Sequence, residues 1–191
     1  YISNNKTRFI DSETAMSMAG DWEGERIKAK VYEYYEKRLH EMMALDFDDL
    51  LLFAHRLLKK QEEIRHKWQR RFRYLHVDEF QDVDQLQYEI IKYLTGADAL
   101  LCVVGDPDQT IYTWRGAQVN IIMNFERDFP GCKSVVLNEN YRSTQAILNG
   151  ANALIAHNKN RIEKELFTKN ESAEKIVHFS AMDDYNEPVW V

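Results

Sequence analysis

Two short apolar runs on either side of a helical pattern constrain this chain more than any other feature. Tyr74-Leu75-His76-Val77 stops at Asp78-Glu79, and Ala99-Leu100-Leu101-Cys102-Val103-Val104 stops at Gly105-Asp106. Between them Leu86, Ile90 and Leu94 recur every fourth residue, behind Asp84 and Gln87, the spacing that caps a helix start reciprocally. Strand, helix and strand, with apolar strands, predict a parallel βαβ unit covered on both faces. Ser134-Val135-Val136-Leu137 predicts a third strand, and residues 176–179 a further one. Only seven of the 191 residues are Gly and three are Pro, less than half the usual combined share of ~12%. So few backbone punctuators favour long helices and argue against a sandwich or barrel of short strands.

Upstream, Ile27, Val31, Tyr34, Tyr35, Leu39 and Met42 have helical spacing and predict a helix with that face buried. Asp46 then precedes Leu50, Leu51, Phe53, Ala54, Leu57 and Leu58. Its carboxylate predicts an N-cap, with Asp48 and Asp49 favourable in the first turn and the helix running on to about Arg71. After Ser143, a candidate N-cap, Ile147, Ala151, Leu154 and Ile155 predict another helix. The expected fold class is α/β, a parallel sheet with a helical N-terminal segment. Apolar residues at 45% and charged residues at 29% are those of a globular chain. The longest apolar run, six residues, is far short of the ~20 that cross a bilayer, and no leader pattern opens the chain. Two cysteines, Cys102 and Cys132, make neither a disulfide framework nor a four-ligand zinc site, which suits a reducing cytoplasm. A start at Tyr1-Ile2-Ser3 without Met leads to the expectation of a piece of a longer chain.

The net charge of −6 gives no global sign of nucleic-acid binding, but it is unevenly spread. Residues 55–73 carry +6, leaving −12 for the rest. A basic stretch on an acidic chain can meet phosphates, but a solvated helix face is the commoner explanation of such a run taken alone.

Ligands of open parallel sheets bind beyond the carboxyl ends of the strands, where this chain has two polar clusters. The first is Asp78-Glu79-Phe80-Gln81-Asp82. An Asp that holds Mg²⁺, beside a Glu that orients and deprotonates water, suits nucleoside-triphosphate hydrolysis. Turn and capping carboxylates look the same. The second runs from Gly105-Asp106-Pro107-Asp108-Gln109-Thr110 into Ile111-Tyr112-Thr113-Trp114-Arg115-Gly116-Ala117. Aromatic faces stack on unpaired bases and an Arg reaches phosphate, although Tyr112 and Trp114 taken alone also read as packing residues. The third, Asn138-Glu139-Asn140-Tyr141-Arg142-Ser143-Thr144, offers Arg142 near a helix start as a phosphate ligand.

In order and spacing, these three clusters closely resemble motifs II, III and IV of superfamily 1 DNA helicases of the UvrD/Rep kind. Leu45-Asp46-Phe47-Asp48-Asp49-Leu50-Leu51 is similar to the family's segment ahead of motif II, and Leu166-Phe167-Thr168 to the entry into its second motor lobe. The resemblance covers roughly residues 25 to 185. It implies a partial RecA-like P-loop NTPase lobe: residues 1–45 ending an inserted helical subdomain, 46–138 the latter half of the first motor lobe, and 139–191 the start of the second. It implies ATP and Mg²⁺ as cofactors, with Asp78 the Mg²⁺-associated carboxylate, directly or through water, and Glu79 the base. Gln109 would contact the γ-phosphate or attacking water and report hydrolysis to the DNA side. Tyr112 and Trp114 would face single-stranded DNA with Arg115 in support, Tyr141 would lie against adenine, and Arg142 would act as an arginine finger. The implied partners are single-stranded DNA, single/double-strand junctions and the rest of the same helicase chain, in DNA repair or recombination.

The chain departs from the family at the P-loop. Its glycines stand at 20, 24, 96, 105, 116, 131 and 150, and none begins Gly-Lys-Ser/Thr. These 191 residues alone are therefore expected to be inactive, and, with an exposed sheet edge, to self-associate or to have a partly disordered N-terminus. Two rival readings stand beside the motor. In a metal-dependent nuclease, Asp78, Glu79, Asp82, Asp106 and Asp108 gather two metals; in a non-catalytic module, the motor fold binds a partner protein.

Overall fold

The computed structural model describes residues 1–159, 161–171 and 175–190, the last without its side chain. The chain divides into two compact units, Tyr1–Pro130 and Gly131–Val191. No helix among the described residues is long and apolar enough to cross a membrane.

The first unit begins with α1 (Ile2–Lys6), α2 (Ser12–Met18) and α3 (Glu23–Glu41). Asp11 starts α2 by accepting the Thr14 amide at 2.8 Å, and Glu23 and Glu25 against Arg38 and His40 complement the dipole of α3. Residues 1–45 are thus packed helices around Ala15, Ala29 and Tyr32. The face of α3 differs from the expected one: Ala29 and Tyr32 are buried, whereas Ile27, Val31, Tyr34 and Met42 are exposed. Ala29 and Tyr32 pack against Ala15 of α2, and of the expected stripe only Tyr35 and Leu39 are half-buried.

Next come α4 (Phe47–Lys60) and α5 (Glu62–Arg71). Asp46 caps α4 as expected, in a reciprocal box with Asp49. Lys6 lies beneath it, 2.8 Å from Asp46 and 2.6 Å from Asp49. The basic stretch is not one helix: Gln61 is extended (φ −110°, ψ 93°) and splits it.

The sheet is β1 (Tyr74–Val77) and β2 (Leu100–Val103), parallel, with Tyr74 opposite Leu100 and Val77 opposite Val103. Between them α6 (Gln85–Leu94) starts in the expected box of Asp84 and Gln87. After β2 come α7 (Val119–Met123) and α8 (Phe125–Asp128). Phe80, Val83, Tyr88, Ile91 and Ile121 form the core, and Leu75, Val77, Leu101 and Val103 pack on it from the sheet. Phe80, fully buried, meets Tyr88 and Phe125 edge-on. Only this face is covered. Tyr74, His76, Leu100 and Cys102 on the other are exposed, unlike the two-sided burial expected.

The second unit holds α9 (Gln145–Ile155) and α10 (Glu187–Trp190). A single parallel bridge joins Glu139 to Phe167, and Asn152 bonds both the N–H and the C=O of Leu166. The strands expected at 134–137 and 176–179 do not form; Val135, Leu137, Ile176 and Val177 are exposed. A β-prone run needs a paired neighbour, and the pairing here begins only at Glu139.

Candidate functional site

The parallel register brings the two strand ends together. The Val104 amide donates to Val77 O at 2.8 Å, and the Phe80 amide to Val104 O at 2.9 Å. The chain leaves β1 by a sharp turn: Glu79 adopts φ 50°, ψ 41°, left-handed backbone that costs a non-glycine residue roughly 1–2 kcal/mol. Phe80, driven into the core, holds that turn in place, so both acidic side chains remain exposed at the sheet's carboxyl edge. Asp78 Oδ1 accepts the Glu79 amide at 2.9 Å, and its second oxygen has no partner among the described residues.

Gln81 is the residue that sequence reasoning passed over. Only 1% exposed, it donates from Nε2 to Glu79 Oε2 at 2.7 Å and accepts the Asp106 amide at Oε1 at 3.0 Å. Asp106 in turn starts the short turn Pro107–Gln109, accepting the Asp108 amide at 3.0 Å and Gln109 Nε2 at 2.8 Å. The signal was an uncharged amide in an otherwise acidic cluster, four residues beyond a strand. Its partner, 25 positions away, is set by tertiary register.

After Thr110 the chain makes a second short turn, Thr113–Arg115, which ends at Gly116 with φ 100°, a conformation that disfavours a side chain. Ala117, buried, anchors the end of this loop, and the Gln118 amide bonds to Val83 O at 3.1 Å. The rings between these anchors face outward. Tyr112 is 39% and Trp114 65% exposed; their centroids are 6.3 Å apart. The Arg115 guanidinium lies 4.7 Å from the Trp114 ring centre and 5.7 Å from that of Tyr112. Exposed aromatics braced by a cation form a surface on which flat, unpaired rings can stack. The sequence-predicted residues Asp78, Glu79, Gln109, Tyr112, Trp114 and Arg115 thus share one pair of consecutive strand-end loops.

Tyr141 and Arg142 belong to the second unit. Tyr141 is 80% exposed and donates to Glu139 Oε2 at 3.2 Å, a bond that raises its own pKa. The Lys169 ammonium, 2.8 Å from Glu139, holds that carboxyl below its usual range, with Tyr141 adding to the effect. Asn140 Oδ1 accepts both the Arg142 and Ser143 amides, at 2.9 and 2.7 Å. Thr144, not Ser143, stands at the N-cap of α9, and its side chain makes no cap bond. The Asn140 turn already engages the Ser143 amide.

Among the described residues no three His, Cys, Asp or Glu side chains gather as a metal site, so the two-metal nuclease reading finds no support. The donor set does fit Mg²⁺ shared with a phosphate ligand, which characteristically takes one or two carboxylates and keeps several waters. Asp78 offers one open oxygen, and Asp82, four residues on, has a buried Oδ1 without a hydrogen-bond partner among the described residues.

Comparison with known proteins follows the same division. Residues 1–130 match the family model of the UvrD/REP helicase N-terminal domain, and residues 135–191 that of the UvrD-like helicase C-terminal domain. The chain is 42% identical over 190 residues to the ATP-dependent DNA helicase PcrA of Staphylococcus epidermidis, and 41% identical over 190 residues to that of Staphylococcus aureus. Each match takes in 100% of this chain but 26% of the relative, so the chain spans about a quarter of the length of the curated relatives it matches.

Proposed function

The chain belongs to the UvrD/REP helicase family, and on that premise we propose that it works within an ATP-dependent DNA helicase. That protein couples ATP hydrolysis to movement along single-stranded DNA and to opening of duplex at single/double-strand junctions, in DNA repair or recombination. The observation that carries this reading is the hydrogen-bonded path from Glu79 through Gln81 and Asp106 to Gln109. It ends three residues before the Tyr112–Trp114–Arg115 surface.

Residues 46–138 serve as the latter half of the first motor lobe, 139–191 as the start of the second, and 1–45 as the end of a helical insertion. Asp78 is the carboxylate associated with Mg²⁺, which when bound neutralises charge on the phosphate oxygens. Glu79 takes the proton of the attacking water, and its hydrogen bond from Gln81 fixes which oxygen faces outward. Gln109 contacts the γ-phosphate or that water. Tyr112 and Trp114 stack on bases of the single strand, and Arg115 steadies the rings and reaches phosphate. Tyr141 lies against the adenine and Arg142 meets developing charge on the γ-phosphate. Two exposed free cysteines, Cys102 and Cys132, are in keeping with a reducing cytoplasm. The uncovered sheet face supports self-association of the 191 residues taken alone.

The test is single-strand-stimulated ATP hydrolysis by the full-length protein. Glu79→Gln, which keeps the shape and removes the base, should lower kcat by ~10²- to 10⁴-fold with little change in KM. Unchanged turnover would remove Glu79 from the chemistry and the reading with it.

A further inference from the structure

We propose that Gln81 is a positioning residue that makes the reactivity of Glu79 depend on the seating of the 106–109 loop, and through it on single-stranded DNA. The inference rests on the motor reading above and names the device that couples its two halves.

Gln81 bonds at both ends. Its Nε2 donates to Glu79 at 2.7 Å and, more weakly, toward Asp82 Oδ2 at 3.4 Å, so one neutral amide separates two carboxylates and orients the first. Its Oε1 accepts the Asp106 amide. The same Asp106 holds Gln109 and the Asp108 amide with its two carboxylate oxygens. The contact depends on Gly105: a Cβ there would lie 2.6 Å from Gln81 Oε1 and 3.0 Å from the Phe80 amide nitrogen. Neither loop can therefore shift without moving the Gln81 amide, and that amide cannot turn without releasing Glu79. Displacing a reacting group by about 1 Å costs on the order of 10²-fold in rate. A loop pulled out of place at Tyr112 or Trp114 would impose such a displacement, and one seated by bound DNA would remove it.

The experiment uses the full-length protein with Gln81→Glu and Gly105→Ala, alongside Glu79→Gln. Gln81→Glu keeps the shape and the acceptor for the Asp106 amide but removes the donor to Glu79. Gly105→Ala wedges the Gln81–Asp106 contact apart without touching either carboxylate. The expected result is a ~10- to 100-fold fall in single-strand-stimulated kcat in both. KM for ATP and nucleotide-free affinity for a single-stranded oligonucleotide should stay within about twofold. Stimulation retained within about twofold in both variants would overturn the inference, as would failure of both to fold, which would make the contact purely structural. If Glu79→Gln also keeps full activity, it is the motor reading that fails; if Glu79→Gln is dead while the other two are normal, only the role of Gln81 falls.

Discussion

Trp114→Ala separates a binding surface from a packing residue. Trp114 is 65% exposed and, among the described residues, its close ring neighbour is Tyr112 at 6.3 Å, so truncation uncovers no core. What the folded protein loses is the stack with Arg115 at 4.7 Å, worth ~0.5–1 kcal/mol at an exposed site and partly recovered when the guanidinium rehydrates. Stability should change by no more than about 0.5 kcal/mol. By contrast Phe80→Ala, at a fully buried site, should cost ~3–5 kcal/mol. Base–aromatic stacking is worth ~1–3 kcal/mol, so Trp114→Ala should weaken binding of a single-stranded oligonucleotide by the full-length protein ~5- to 150-fold. Fluorescence anisotropy across a salt series adds a second discriminator. Stacking releases no counterions, so Trp114→Ala should leave the slope of log affinity against log salt unchanged. Arg115→Ala should reduce it by about 0.7 if the guanidinium neutralises one phosphate. Affinity within twofold of the parent, or a thermal midpoint as depressed as that of Phe80→Ala, would refute the assignment.

Other expectations follow from the same geometry. Lys6→Met should destabilise the chain by ~3 kcal/mol in urea melts, because it leaves Asp46 and Asp49, whose side chains are only 20% and 11% exposed, facing each other without a cation. Burial alone would raise the Asp46 pKa, but the hydrogen bonds from Lys6, the Asp49 amide and Tyr35 hold it below its usual value. Its contribution is therefore present above about pH 4 and lost as pH falls through the folded value, and Lys6→Met should flatten this acid limb. Lys6 has the opposite sign. Burial lowers its pKa, yet Asp46 and Asp49 together raise it, so its contribution persists below about pH 10.4 and fades as pH rises through the folded value. The 191 residues alone should show no ATP hydrolysis and no unwinding in a steady-state phosphate-release and strand-displacement assay. Robust turnover abolished by Glu79→Gln would contradict this.

Elements whose causes are local were legible from residues alone. The Asp46 and Asp84 capping carboxylates, the strand at 74–77 and the amphipathic helix after it each follow from a handful of neighbouring residues. Where the outcome depends on a distant partner, the local residues do not determine it. Residues 134–137 have strand composition but no paired neighbour, and the buried strip of α3 is chosen by what α2 presents. Gln61, whose composition suits a helix, breaks one. In the candidate site the chemistry-bearing side chains were visible as residue types at a strand end. The connection through Gln81 and Asp106 was not, because a hydrogen bond spanning 25 residues depends on the parallel register that aligns Val77 with Val103.

The most direct measurement compares single-strand affinity of the full-length protein with no nucleotide, with ADP and with a non-hydrolysable ATP analogue, for the parent and for Gln109→Ala. Affinity in the parent should shift at least ~5-fold, about 1 kcal/mol, between nucleotide states. Gln109→Ala should erase that shift while leaving nucleotide-free affinity within twofold. A parent whose grip is indifferent to nucleotide, or a Gln109→Ala protein that retains the full shift, would contradict a path from Glu79 to Trp114 through Gln109.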